Sequence, residues 1–361
     1  MKNHIVFVCQ IIPSELLLKY PVSPAQTHFC DKLLLTGCFD KVISLVQTNV
    51  VPYILDEIVD ERNVEYIQVR LLRQNKWTRI INNLIESIMI VCSCKGYNHI
   101  IYNNINHQTF ISCIINKLVF RRKVYAIVTD HTPPKSKISF QAMLEFLLVH
   151  MDGVITLSPR MKVPIKNRFS IAGIVPNDSI KPCTIMKRDS KCFLFSGTLN
   201  EAKGIRLALE CFSENKDLKL IITGSGPLKK VVEKYSSMYE NIQYLGFLEE
   251  DSYWRVLDDV CFCLNLRNPY LEENMNNFPS KILEYFANNK IVISTMYYPE
   301  LQGMKYYTCD YRKDDLEKCI RNIICNMKES NTIIDNSLSL KSKFSEDAWR
   351  SIINHMIAVK R

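Results

Sequence analysis

The sequence predicts an α/β protein made of two doubly wound parallel-sheet domains in tandem, and three observations predict it. The chain has 361 residues, more than one ordinary core needs and suited to two domains of ~150–200 residues. Short β-rich runs alternate with segments of helical period, the pattern of βαβ units. That alternation breaks at a turn-rich stretch holding Pro176, Asn177, Asp178, Ser179 and Pro182, and then starts again.

In the first series, strands are expected at His4–Cys9, Val42–Val46, Val64–Val69, His99–Asn103, Lys123–Thr129 and Gly153–Leu157. Helices fit near Ala25–Leu35, Arg79–Cys92, Thr109–Phe120 and Ser139–His150. Lys187, Arg188 and Asp189 complete the linker. The second series places strands at Cys192–Ser196, Leu218–Thr223, Ile242–Leu245, Val260–Leu264 and Ile291–Ser294. Its helices fall near Ile205–Phe212, Leu228–Met238, Ser252–Leu257 and Ser280–Ala287, and the chain from Asp314 onward is mostly helical. The expected domains are 1–185 and 186–345, with a helix over 346–361 that packs back on the first domain. Sheets of this kind bind ligands at the carboxyl ends of their strands, and a cleft between two of them holds two substrates.

Composition narrows the class. The chain is 47% hydrophobic and 23% charged, the balance of a soluble globular protein. No apolar run approaches the ~18 residues that span a bilayer, and Asn3 and His4 interrupt any secretory signal. The 14 cysteines sit largely in apolar runs, as Cys9, Cys192, Cys261 and Cys263 do, where cysteine acts as a small core residue. The Cys92-x-Cys94 pair has no nearby histidine, so no zinc site is expected. A reduced, cytoplasmic protein is expected. Residues 1–190 carry 23 Lys/Arg against 14 Asp/Glu, whereas 191–361 carry 23 of each. The first half is therefore expected to face something negative: a membrane surface, a phospholipid-linked acceptor or nucleic acid.

The second half holds the chemistry-bearing motifs. Gly197-Thr198-Leu199-Asn200-Glu201-Ala202-Lys203-Gly204 follows a strand and precedes a helix. Glycine there admits close approach of the backbone to a ligand, and a helix start with a lysine suits a diphosphate; a plain strand–turn–helix corner explains it as well. Gly224-Ser225-Gly226-Pro227 and Leu245-Gly246-Phe247-Leu248 follow the next two strands, and both also read as tight turns. In Asn277-Phe278-Pro279-Ser280-Lys281-Ile282-Leu283-Glu284, residues Ser280, Lys281 and Glu284 share one helical face. Lysine at a helix start opposes the dipole unless an anion sits there, and Glu284 one turn on can accept two hydrogen bonds from a diol. A solvated Lys–Glu pair is the plainer reading.

In this order, over ~100 residues, the set resembles glycosyltransferase family 4, the glycosyl transferases group 1 of the GT-B fold. Phe-Pro-Ser-Lys-Ile-Leu-Glu-Tyr, from Phe278 to Tyr285, resembles bacterial capsule, O-antigen and exopolysaccharide transferases. The resemblance implies two Rossmann-like domains facing a cleft, a nucleotide-diphosphate sugar donor, retention of configuration, and neither cofactor nor essential metal. It implies that Lys203 neutralises the diphosphate, Glu284 binds ribose hydroxyls, and Gly197 and Ser280 offer backbone groups to phosphate. Phe247 would lie beside the base, while Lys281 and Arg267 would contact phosphate or sugar. Gly224, Gly226, Phe278 and Pro279 complete the donor side. Two departures stand out: Thr198 occupies a position where relatives often carry arginine, and Asn276 replaces the first Glu of a Glu-x7-Glu pattern.

The first half is less informative. Thr129-Asp130-His131-Thr132-Pro133-Pro134 follows a strand and resembles the family's cleft loop. There His131 would bond a sugar hydroxyl and Asp130 would orient it; a capped turn with an exposed His131 is the alternative. Gln26 and His28 at the first helix, and Tyr102 and Asn103 at a strand end, are acceptor-side candidates. Arg70, Arg73, Lys76 and Arg79 lead into Trp77 and an apolar stripe through Ile80, Ile81, Leu84, Ile85, Ile88 and Met89. The stripe fits a core face or a membrane interface, and Arg121, Arg122 and Lys123 would add attraction to anionic lipid.

The expected function is transfer of a sugar to a saccharide or lipid-linked acceptor in surface polysaccharide biosynthesis. The expected setting is the cytoplasm, in peripheral contact with the inner face of the plasma membrane. A nucleotide-sugar epimerase on the same scaffold and a non-catalytic nucleotide-sugar-binding assembly subunit are the rival readings. No nucleic-acid recognition module is visible.

Overall fold

The computed structural model describes residues 4–12, 16, 24–46, 63–68, 76–134, 136–182, 191–329 and 335–359. Arg70, Arg73, Lys187, Arg188 and Asp189 lie outside these residues, as do the side chains of Lys76 and Arg79. The chain forms two compact units: Met1–Ile174 with Glu346–Arg361, and Val175–Ser345. It passes from one to the other at Ile174–Val175, ahead of the 183–190 stretch.

The first unit contains β1 (Ile5–Cys9), α1 (Pro24–Leu34), β2 (Lys41–Leu45), β3 (Val64–Ile67), α2 (Lys76–Ser93), β4 (His99–Asn103) and α3 (Phe110–Ile114). A π-helical turn, Ile115–Val119, extends α3. β5 (Lys123–Val128), α4 (Phe140–Val149), β6 (Gly153–Thr156) and β7 (Arg168–Ser170) follow. The strands form one parallel sheet in the order β3-β2-β1-β4-β5-β6-β7. Its strands read as continuous apolar runs because both faces are covered. Val6, Val8, Ile100, Tyr102, Val124 and Ala126 pack on one face; Ile5, Phe7, Ile101, Tyr125 and Ile127 pack on the other.

In the second unit come β8 (Cys192–Ser196), α5 (Ile205–Glu214), β9 (Lys219–Thr223), α6 (Lys229–Met238), β10 (Ile242–Tyr244) and α7 (Glu250–Asp259). Next are β11 (Phe262–Asn265), α8 (Glu272–Asn276), α9 (Lys281–Ala287), β12 (Ile291–Ser294), β13 (Tyr307–Thr308), α10 (Lys313–Glu329) and α11 (Ser337–Phe344). Its parallel sheet runs β10-β9-β8-β11-β12-β13, the order of the first six strands of the seven-stranded first sheet. Ile205, Leu209 and Phe212 of α5 and Leu316, Ile320 and Ile323 of α10 bury against β8, β9 and β11. The last helix, α12 (Glu346–Ala358), belongs to the first unit. Its Trp349, Ile353 and Met356 are buried with Phe7 and Ile155, and Trp349 Nε1 donates to Gly173 O at 2.6 Å.

One helix is turned the other way from a core reading. α2 packs on β2, β3 and α3 with Asn82, Glu86, Ser87, Ile90 and Val91 buried. Trp77, Ile80, Ile81, Leu84, Ile85, Ile88 and Met89 are exposed. Its period is that of an amphipathic helix, but most of the apolar side faces solvent. No helix among the described residues is long and apolar enough to cross a membrane.

Candidate functional site

The carboxyl end of the second sheet is assembled from three glycine turns laced together by backbone hydrogen bonds. Gly197 N, just after β8, donates to Thr223 O at 3.1 Å; Gly224 N, just after β9, donates to Gly246 O at 2.8 Å. Leu199 N reaches Ser225 O at 3.0 Å, and Leu228 N returns to Leu199 O at 2.9 Å, closing the turn that holds Gly226. Tyr244 Oη donates to Gly224 O at 2.8 Å. Gly224 has φ +120°, and a Cβ there would lie 1.9 Å from Gly197 O. The two loops touch through backbone, so only glycine fits.

Lys203 is positioned by its own turn. Asn200 caps the 3-10 turn Glu201–Lys203, its Oδ1 accepting from Lys203 N at 2.9 Å. Gly204 then adopts the left-handed conformation, φ +75°, with a would-be Cβ only 1.7 Å from Leu266 O. This brings half-buried Lys203 to the start of α5. The turn is tied to the β11–α9 connection: Asn268 N donates to Ala202 O at 3.0 Å. Fully buried Asn274 of α8 donates from Nδ2 to Ala202 O at 2.7 Å and to Asn268 O at 2.9 Å. Arg267 Nη1 lies 3.5 Å from Asn274 Oδ1.

Lys281, at the start of α9, reaches the same edge. Its Nζ donates to Ser196 Oγ at 3.1 Å and sits 4.4 Å from the centroid of the Tyr253 ring, a cation–π contact. Tyr253 comes from α7. Its hydroxyl is pushed far above the usual phenol range, first by burial and second by the charge of Glu284. Glu284 is thus near enough to Tyr253 for its charge to act on that hydroxyl. Asn276 is buried, and its Nδ2 has no hydrogen-bond acceptor among the described residues. Phe278 and Pro279 are buried, with the Phe278 ring 5.8 Å from and edge-on to Tyr298. Ser280 is exposed, as are Thr198 and Phe247.

The first unit departs more from expectation. His131 is buried, with Nε2 3.0 Å from Glu145 Oε1 of α4; burial lowers its pKa despite that carboxylate. The carboxylate that orients His131 is Glu145, not Asp130, which is exposed beside Thr129. Tyr102 is a core residue: Asn116 Nδ2 donates to its Oη at 2.9 Å, and Tyr102 Oη lies 3.2 Å from Ser112 Oγ. No face of it remains for an acceptor, because Tyr102 points at α3 and not out of the strand end. Asn103 is also buried, Nδ2 meeting Cys30 Sγ at 3.2 Å. Gln26 and His28 are half-buried on α1.

A polar cluster that sequence reasoning missed lies after β1 and β4. Gln10 Nε2 donates to Gln108 Oε1 at 3.0 Å, Gln108 Nε2 donates to Glu86 Oε2 at 3.1 Å, and Ser87 Oγ donates to Gln108 O at 3.1 Å. Burial pushes the Glu86 carboxyl up to about 7, against the opposing hydrogen bond from Gln108. The signal was present as Glu86, the one charged residue of α2 after Arg79.

Residues 179–336, which hold every element of the glycine-and-lysine edge, match the family described as Glycosyl transferases group 1. That match spans most of the second unit. Solved structures similar to the whole chain include the Anabaena protein HepE in complex with UDP, at 14% identity over 98% of this chain and 99% of that one, with a TM-score of 0.71. Another is the lipopolysaccharide outer core galactosyltransferase WaaB, at 15% identity over 98% and 99%, TM-score 0.63. A third is the catalytic domain of starch synthase IV from Arabidopsis thaliana bound to ADP and acarbose, at 10% identity over 99% of each chain, TM-score 0.70. At such identities the likeness establishes the shared fold, which is GT-B. No curated protein matches the chain by sequence.

Proposed function

We propose that the chain is a retaining glycosyltransferase that moves a sugar from a nucleotide-diphosphate donor to a saccharide or lipid-linked saccharide in surface polysaccharide biosynthesis. The observation that carries this reading is the convergence of Lys281, Glu284, Ser196 and Tyr253 at the mouth of β8, beside the Gly197–Gly224 contact. Backbone turns that admit close approach, with a cation among them, suit a diphosphate. The Glu284 carboxylate, on the same helix face, suits the hydroxyls of the attached ribose. Exposed Phe247 offers a ring to the base.

Lys203 and Lys281 supply the charge that stabilises the departing diphosphate, so no metal is essential. The acceptor hydroxyl gives its proton to a donor phosphate oxygen as it attacks the same face of the sugar, and the sugar–phosphate bond breaks. Asn276 stands where its buried amide meets the donor sugar: an unmatched buried donor costs about 1–3 kcal/mol, which a sugar oxygen would relieve. HepE and WaaB, named above for UDP and for a lipopolysaccharide galactosyl transfer, lend direction to the pathway assignment. A lipid-linked acceptor places the work at the cytoplasmic face of a membrane.

A thermal-shift screen over nucleotide-sugars tests the reading, since a true donor stabilises the folded state by mass action. The expected result is a rise in Tm with at least one nucleotide-sugar, lost in Lys203→Ala. A screen in which no nucleotide-sugar moves Tm would overturn it.

A further inference from the structure

The outer face of α2 is built for a surface that water does not reach. Trp77 is 75% exposed, and the apolar side chains from Ile80 to Met89 line the same side of the helix over its 18 residues. The polar residues that a solvent-facing helix would show, Asn82, Glu86 and Ser87, are turned into the unit instead. A second apolar projection adjoins its far end. Leu118, Val119 and Phe120 close the π-helical turn after α3, all exposed. The Arg122 guanidinium lies 4.8 Å from the Phe120 ring centroid and donates to Val91 O in the last turns of α2. The helix face and the turn are thus joined through Arg122.

The charge around this face selects its occupant. The acidic residue of α2, Glu86, is on its buried side. Lys95, Arg121 and Lys123 are exposed near the end of the helix and the turn. An apolar stripe with a tryptophan at one end and exposed cations at the other matches the interfacial layer of an anionic bilayer.

We propose that the outer face of α2, together with the Leu118–Phe120 turn, beds into the headgroup–acyl boundary of an anionic lipid membrane. α2 lies along the interface and does not cross it.

Vesicle sedimentation with the full chain tests this, comparing pure phosphatidylcholine with vesicles containing about one-third phosphatidylglycerol. The expected result is binding to the anionic vesicles only, weakened by added salt. Leu84→Glu/Ile88→Glu should bind at least about tenfold more weakly with an unchanged melting curve, since both positions are already in solvent. Trp77 emission should shift to the blue on vesicles, and Trp77→Phe should abolish the shift. No binding, binding indifferent to anionic lipid, or equal binding by the double variant would overturn the proposal. So would a solution dimer that the double variant converts to a monomer. No nucleotide enters this readout, so it can fail while donor binding stands, and the reverse.

Discussion

The two sheets share one strand order over six strands, and α2 and α7 occupy the same place in it: each crosses from the third to the fourth strand of its unit. Their outer surfaces are opposite. α7 shows Glu250, Asp251, Ser252, Arg255 and Asp259 to solvent, whereas α2 shows Trp77, Ile80, Leu84 and Ile88. The topology therefore does not demand an apolar surface at this crossover, so its presence on α2 calls for a partner. Inward, the two helices behave alike: each delivers one titratable group to the carboxyl end of its sheet, Tyr253 from α7 and Glu86 from α2, and burial raises the pKa of both. What differs there is the backbone. The second unit meets its ligand edge with glycine turns and lysines, the first with the amides of Gln10 and Gln108. The same strand order thus ends in a cationic edge in one unit and in a neutral amide cluster in the other.

The strongest way to break that contrast is to remove the cations. Lys203→Ala and Lys281→Ala should each lower turnover by about 100-fold or more, the scale of losing one stabiliser of developing charge, with far-ultraviolet circular dichroism unchanged. Near-normal turnover would erase the distinction between the two edges. Next in size is the backbone itself. Gly204→Ala forces a side chain into left-handed backbone against Leu266 O, and should cost roughly 3 kcal/mol or more in denaturant melts. Gly96→Ala, at φ +87° with no described atom within 4 Å of its Cβ position, should cost only about 1 kcal/mol.

Glu86 sharpens the comparison through pH. Its folded pKa, about 7, lies above the ordinary 4.5, so its stabilising contribution is complete below pH 4.5 and is lost as pH rises through 7. The ceiling on that loss is about 3 kcal/mol. Tm measured from pH 4.5 to pH 8 should fall in the native chain and flatten in Glu86→Gln. The smallest effect belongs to the ordinary surface of the second unit. Arg321 clasps Asp217 with two bonds, of 2.7 and 2.8 Å, holding its carboxyl down at about 2. Both side chains are over 40% exposed, so Asp217→Asn should cost under about 1 kcal/mol.

Much of this was legible because parallel strands buried on both faces are apolar runs bounded by turn residues, as Cys192–Ser196 and Ile291–Ser294 are. β7 and β13 escaped because strands of three and two residues at a sheet edge carry no period. α8 escaped because Glu272–Asn276 is a single polar turn. In the site, glycines and lysines announced themselves through spacing, whereas Tyr253 did not: it is one ring in a charged helix, brought to Lys281 by the fold. Glu145 likewise is brought to His131 from α4 by the fold. Periodicity revealed the two faces of α2 but carries no sign, and only the polar bonds of Glu86 and Ser87 show which face turns inward.

The central claim is that the second unit grips a nucleoside diphosphate with Lys203, Lys281 and Glu284, and calorimetric titration of nucleoside diphosphates tests it most directly. The native chain should bind at least one of them, with affinity falling about 100-fold, or ~2.7 kcal/mol, in Lys281→Ala and clearly in Glu284→Gln. Binding of equal strength in the native chain and both variants, or no binding of any nucleoside diphosphate, would contradict the account.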